Sequence, residues 1–190
     1  MKRTLTIITL IFAAATVALA DRYTAATGSV IRVEGTSTLH AWTMESSAVE
    51  GEITAPNPSN WNAPAKVVVT IPVTTLKSQH GKMDKLMAEA LKAKAHPRIR
   101  YELLEATPKT ATDTKFVLAT RGNLTIAGVT REIAMDVDGT RAADGRYTLT
   151  GAAPIRMTNF GIKPPTAMLN TIKTGDDVKV TFRWTVAHVD

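Results

Sequence analysis

From Lys115 to Met157 the chain read in twos gives Phe116, Leu118, Thr120, Gly122, Leu124 and Ile126, then Ile133, Met135 and Val137, then Tyr147, Leu149, Gly151, Ile155 and Met157. The residues between them are largely Thr, Arg, Asp, Glu and Ala. A period of two is strand periodicity, because successive side chains of an extended backbone point to opposite faces. The interruptions, Ala127-Gly128-Val129-Thr130 and Ala142-Ala143-Asp144-Gly145, are turn-forming, and Asp-Gly supplies the positive φ of a tight hairpin. Three such strands make an antiparallel meander with one oily face that must be covered.

The flanking sequence extends the pattern. Tyr23 to Val33 predicts a first strand, with Gly35 breaking it. In the next strand Trp42 and Met44 share one parity while Val49, Gly51 and Ile53 share the other, so a bulge or bend is expected around Glu45 to Ala48. Pro56, Pro58 and Pro64, with Asn57, Ser59, Asn60 and Asn62, form a surface loop. Lys66 to Val73 is a β-branched run too continuous to be one-sided, which predicts packing on both faces or under a loop. Ile99, Tyr101 and Leu103 alternate with Arg98, Arg100 and Glu102, and Val178, Val180, Phe182, Trp184 and Val186 alternate in a final strand.

One stretch has a different period. Met83, Leu86, Met87, Ala90 and Leu91 fall at helical spacing, predicting a short helix over Met83–Lys92, with Ser78 capping its start and Pro97 stopping it soon after Lys94. Thr158 to Lys173, with Gly161 and Pro164-Pro165, is longer than a hairpin needs, the kind of connection in which binding loops sit. The sum is an all-β, antiparallel chain of about eight strands with one helix covering an end. Unpaired edges are a hazard, so such a sheet closes into a barrel or splits into a sandwich. An eight-stranded barrel has room for interior side chains or one small ligand.

The first 20 residues read as a secretory leader: Lys2 and Arg3, an apolar stretch from Leu5 to Leu19, and a small-x-small Ala18-Leu19-Ala20 end. The expected organisation is a signal peptide over 1–20 and one exported domain over 21–190, with no stable membrane insertion after cleavage. Without Lys2 and Arg3 there are 21 basic and 17 acidic residues, scattered along the chain, which gives nucleic-acid binding no support. The absence of cysteine excludes disulfides, thiolate catalysis and Cys-ligated metal centres, so core burial alone holds the domain together. Gly35-Thr36-Ser37-Thr38-Leu39 lacks the second glycine of a nucleophile elbow. His40, His80, His96 and His188 have no metal-ligand spacing, so neither catalytic residues, metal nor cofactor are assigned. Lys77, Lys82 and Lys85 gather with His80 at the helix start, and Lys163 and Lys173 flank the late loop; they either hold an anionic head group or simply solvate the surface.

Four blocks are more specific than this periodicity. GTSTLHAWT at Gly35 to Thr43, IPVTTLKSQHGKMDKLMAEALKAKAHPRI at Ile71 to Ile99, GNLTIAGVTREI at Gly122 to Ile133 and MTNFGIKPPTAMLNTIKTGDDVKV at Met157 to Val180 resemble, in order, the YceI-like family of exported bacterial proteins. Ala41 departs from that pattern, standing where relatives often carry Asp. The resemblance implies an extended lipocalin-like barrel in a periplasmic or otherwise exported location. It further implies a non-enzymatic protein holding an isoprenoid lipid of quinone or prenyl-phosphate type, and it allows a homodimer. On that reading Phe116, Leu118, Leu124, Met135, Leu149, Met157, Phe182 and Trp184 line the tunnel, together with Trp42 and Phe160, while Met83, Leu86, Met87 and Leu91 close one end. The alternatives are a structural or interaction barrel with a side-chain-filled core and, with least support, an enzyme using distant histidines.

Overall fold

Each strand of the wall runs antiparallel to the next, and the last returns to pair with the first. In chain order the elements are β1 (Asp21–Ala25), β2 (Val30–Ser37), β3 (Trp42–Ser46), β4 (Glu50–Ala55), β5 (Lys66–Pro72), α1 (Gly81–Ala90), β6 (Arg98–Ala111), β7 (Lys115–Ile126), β8 (Val129–Arg141), β9 (Tyr147–Arg156), the two-residue β10 (Thr166–Ala167) and β11 (Ile172–Val189). The computed structural model describes residues 21–55 and 66–189; the expected leader and the proline-rich loop lie outside the described residues. The ring runs β1, β4, β5, β6, β7, β8, β9, β11 and back to β1, giving a closed eight-stranded barrel.

Two of the staves are bent. β1 and β2 are successive halves of one stave, since β11 pairs with β1 through Val186–Val189 and with β2 through Thr174–Arg183. The bend falls at Ala26–Ser29, where Gly28 has φ +95° and the buried Ser29 hydroxyl donates to the carbonyls of Ala26 (2.9 Å) and Thr185 (3.2 Å). β3 and β4 form the second bent stave, and its break after Ser46 sits where the parity change placed a bulge. There the Ser46 hydroxyl accepts from the Ala48 N–H at 3.1 Å and shares a hydrogen bond with Thr75 at 2.7 Å. Gly35 does not end the first strand as expected: it lies within β2, paired with Trp42, whose indole fills the space a Cβ would need. The run Lys66–Val73 is also one-sided after all. Val67, Val69 and Ile71 face inward, while Val68 and Thr70 lie outside among Arg22, Glu52, Lys66 and Arg100.

Turn chemistry fixes the meander's register. Ala127 (φ +50°) and Gly128 (φ +83°) join β7 to β8 in a two-residue turn, and β7 and β8 pair without interruption from Ile126–Val129 to Lys115–Thr140. At the β8–β9 connection only Gly145 takes positive φ (+83°); Asp144 instead accepts from the Arg146 backbone N–H at 3.1 Å.

The helix differs from expectation at both ends. It begins at Gly81, after an N-cap His80 whose side chain makes no cap. Ser78 lies two residues too early to cap, and instead its hydroxyl and N–H donate to Asp84 at 2.7 and 2.8 Å. The helix stops at Ala90, well before Pro97, because Lys92 adopts φ +54° and the N–H groups of Lys92 and Ala93 bond back to Glu89 and Ala88.

Near the helix the wall parts between β8 and β9. β8 pairs with β9 only through Val137–Arg141, leaving Val129–Asp136 bonded to β7 alone. A 3₁₀ turn at Met157–Phe160 and the buried Ile162 fill this parting, and Arg131 Nε donates across it to the Asn159 carbonyl at 3.0 Å. Two apolar clusters result. One, at the helix end, contains Trp42, Met44, Met87, Leu91 and Phe160; the other contains Tyr23, Ile53, Phe116, Tyr147 and Trp184.

Gly51 tests the wall packing. A Cβ there would meet the Val68 carbonyl oxygen, Trp184 Cζ2 at 2.9 Å and Val69 Cα at 3.1 Å, and two of those are backbone atoms that cannot swing aside. Gly51→Ala should therefore destabilise the barrel by about 1–3 kcal/mol, as overpacking does, read as a lowered urea midpoint at unchanged slope.

Candidate functional site

The inward faces of all eight staves converge on one void. It measures about 210 Å³, is lined almost wholly by apolar atoms, and spans both clusters, from Met87 and Leu91 under the helix to Phe116 and Leu149 near the other end. Phe116 and Ile126 both line it. Ten residues of strand tilted at about 40° put them roughly 25 Å apart along the axis. The site is a long, thin, apolar channel.

Its openness has a local cause in the sequence. Gly122, Gly139 and Gly151 lie beneath the rings of Tyr101, Phe116 and Phe182 respectively, so close that none has space for a Cβ. An aromatic ring laid over a neighbouring strand's glycine covers the wall instead of crossing the lumen. Strand glycine, ordinarily a weakness, here makes room.

Two polar atoms interrupt the lining. The Tyr101 hydroxyl and Trp184 Nε1 are buried and find no hydrogen-bond partner among the described residues. Burial pushes the Tyr101 phenol above its ordinary value. The neighbouring Thr120 hydroxyl, which itself donates to the Met135 carbonyl at 2.8 Å, opposes this to a smaller extent. An unpaired buried donor is costly, so both atoms mark places where a partner would be favourable.

Of the residues expected to face the tunnel, Trp42, Met87, Leu91, Phe116, Leu118, Leu124, Met135, Leu149, Met157, Phe182 and Trp184 line the void. Met83, Leu86 and Phe160 do not. Phe160 is buried in the cluster beneath the parted strands, Met83 packs against that cluster from outside, and Leu86 is half-buried on the helix. The helical stripe thus divides between Met87 and Leu91, which seal the channel, and two residues that only seat the helix. The sequence placed Tyr101 and Thr120 on the inward parity of their strands but did not single them out as lining. Their place in the alternation was the available signal, since Tyr101 shares parity with Ile99 and Leu103.

No described Lys or Arg lines the void. Among the described residues no three His, Asp or Glu gather as a metal-binding group, and no helix is long and apolar enough to cross a membrane.

The sequence profile described as a YceI-like domain matches residues 22–186. Three solved structures are similar in fold. BcnA of Burkholderia cenocepacia is 17% identical with a TM-score of 0.66, the match covering 84% of this chain and 96% of that one. A polyisoprenoid binding domain from Saccharophagus degradans is 13% identical with a TM-score of 0.69, covering 86% and 97%. The Campylobacter jejuni YCEI protein is 19% identical with a TM-score of 0.57, covering 75% and 81%. No sequence among the curated proteins matches.

The mouth helix depends on one carboxylate. The Ser78 hydroxyl and N–H, then the Lys77 and His80 charges, hold the Asp84 carboxyl below its ordinary value of 3.8. Its folded pKa is depressed, so its stabilising contribution is complete above the ordinary value and is lost as pH falls through the lowered one. Ser78→Ala should cost about 1 kcal/mol at neutral pH. In acid-titrated unfolding the difference from wild type should shrink below about pH 4.

Proposed function

The chain belongs to the YceI-like domain family, and from that premise we propose that its barrel sequesters or carries an isoprenoid lipid in a periplasmic or otherwise exported location. The observation that carries this reading is the channel itself. At roughly 24 cal/mol per Å³, leaving about 210 Å³ empty costs about 5 kcal/mol, a large part of a domain's net stability. A purely structural barrel would have filled it with side chains. A dry apolar void instead takes an apolar guest, each 100 Å² of whose buried surface contributes about 2.5 kcal/mol. The length and narrowness of the channel suit a chain rather than a compact ring system. One chain provides the whole lining, so the reading needs no homodimer. The family match begins at residue 22, directly after the expected cleavage point, which supports export.

The lining also selects the head group. With no cation in the wall, an inserted phosphate would be an unpaired buried charge. A neutral head of quinone type offers carbonyl oxygens that accept from Trp184 Nε1 and the Tyr101 hydroxyl. A prenyl phosphate would leave its head outside, beside Lys77, Lys82 and Lys85. Neither arrangement calls for catalysis, and the protein acts as a binding protein, not an enzyme.

Native mass spectrometry of the protein purified from exporting cells, followed by organic extraction, tests the cargo. The expected result is a stoichiometric adduct with an isoprenoid mass series, lost in Leu118→Glu while the circular dichroism stays that of a barrel. A bare polypeptide mass, unchanged after incubation with a short-chain ubiquinone and with farnesyl phosphate, would overturn the cargo reading in favour of a structural or interaction barrel.

The orphan hydroxyl gives a prediction of opposite signs. Tyr101→Phe should raise the stability of the empty protein by about 1 kcal/mol, since a buried unsatisfied group is removed. The same change should weaken ubiquinone binding several-fold, as measured by titration calorimetry. Weakening of both together would mean that the hydroxyl merely supports the wall.

A further inference from the structure

The helix end carries an apolar tip that is left exposed among the described residues. Met168 is 73% exposed and Leu169 99%, in the loop before β11, and Leu39 is 67% exposed in the hairpin between β2 and β3. These two loops are neighbours: the Thr38 N–H donates to the Lys173 carbonyl at 2.9 Å, and the Lys173 N–H to the Thr38 hydroxyl at 3.1 Å. The tip is held in an unfavourable shape. Met168, Leu169 and Asn170 have φ of +49°, +53° and +68°, a left-handed run that L-residues rarely make consecutively. The Thr171 hydroxyl and N–H fasten it to the Met168 carbonyl, at 2.7 and 3.2 Å. Two long apolar side chains are thereby presented outward at a backbone cost, with no internal contact in return.

Lysines surround this end. Lys163 and Lys173 flank the tip, and Lys82, Lys85, Lys92 and Lys94 stand on the helix and the turn after it; all six are exposed. Each lacks a carboxylate partner among the described residues. The acidic groups here are mostly committed, Asp84 to Ser78, Asp176 to Thr158 and Asp177 to Arg156, leaving Glu89. We propose that this end docks reversibly on a bilayer containing anionic lipid, with Leu39, Met168 and Leu169 entering the interface and the lysines meeting head groups. An apolar point ringed by cations is the pattern of a peripheral membrane contact. A second copy of the chain would instead set lysines against lysines. The tip loop continues directly from Phe160 and Ile162, the segment that fills the β8–β9 parting.

Vesicle co-sedimentation at low salt tests this with the purified protein. Vesicles of phosphatidylglycerol and phosphatidylethanolamine should bind it, and phosphatidylcholine vesicles should bind it far less. Met168→Asp/Leu169→Asp should reduce binding about tenfold or more, and Lys163→Gln or Lys173→Gln each about fivefold. Because the substituted side chains are exposed, unfolding midpoints should not move. Leu118→Glu should dock normally, which separates failure of docking from failure of the cargo reading. Absence of wild-type binding to the anionic vesicles, equal binding to phosphatidylcholine, or undiminished binding by the Met168/Leu169 variant would each overturn the proposal.

Discussion

Closure of the ring by β11 is the constraint on which the rest of the structure depends. This strand is 18 residues long and pairs with β9 along one edge and, in succession, with β2 and β1 along the other. Without it the sheet would expose two edges and an apolar face with no second layer to cover it. With it, every inward side chain faces another across the lumen, and one sheet supplies its own core. The bends at Ala26–Ser29 and after Ser46 follow from the same demand, since a single sheet must curl sharply to meet itself.

A closed wall does not by itself decide whether its interior is full. Here three glycines give aromatic rings space to lie against the wall, and the lining keeps a void that a few larger side chains would have removed. The two polar atoms left unpaired inside it, on Tyr101 and Trp184, point the same way. A chain under selection for stability alone would fill the volume and satisfy the donors. Costs of this kind concentrate where a protein meets a ligand.

The two ends of the barrel differ. Away from the helix β9 and β11 stay paired to Tyr147–Val186, while β6 runs on beyond Glu102, its last residue paired with β5 among the described residues. The outer face of the wall carries exposed cross-strand ion pairs such as Arg22–Glu52–Lys66 and Glu105–Arg121–Glu132, each worth little alone. Near the helix β8 and β9 part, and short turns and side chains replace backbone ladders. Side-chain contacts open at lower cost than a hydrogen-bonded ladder, so the β8–β9 parting is a place where the wall can yield locally.

The sequence by itself determined the strands, the oily face and most of the channel lining, because a period of two is a local property that any sheet must respect. Phe116, Leu118, Leu124 and Leu149 could be assigned inward without knowing their partners. The same local reading failed where a contact between distant segments decided the outcome. Gly35 looked like a break but lies under Trp42; Ser78 looked like a cap but binds Asp84; Phe160 looked like lining but plugs the parted strands. Whether the sheet became a barrel or a sandwich, and whether its core was filled or hollow, only the tertiary structure decided. Closure is a pairing between residues more than 160 positions apart, Arg22 with Val189, and a void is a volume that remains after all eight walls are placed. Neither quantity belongs to any single stretch of chain.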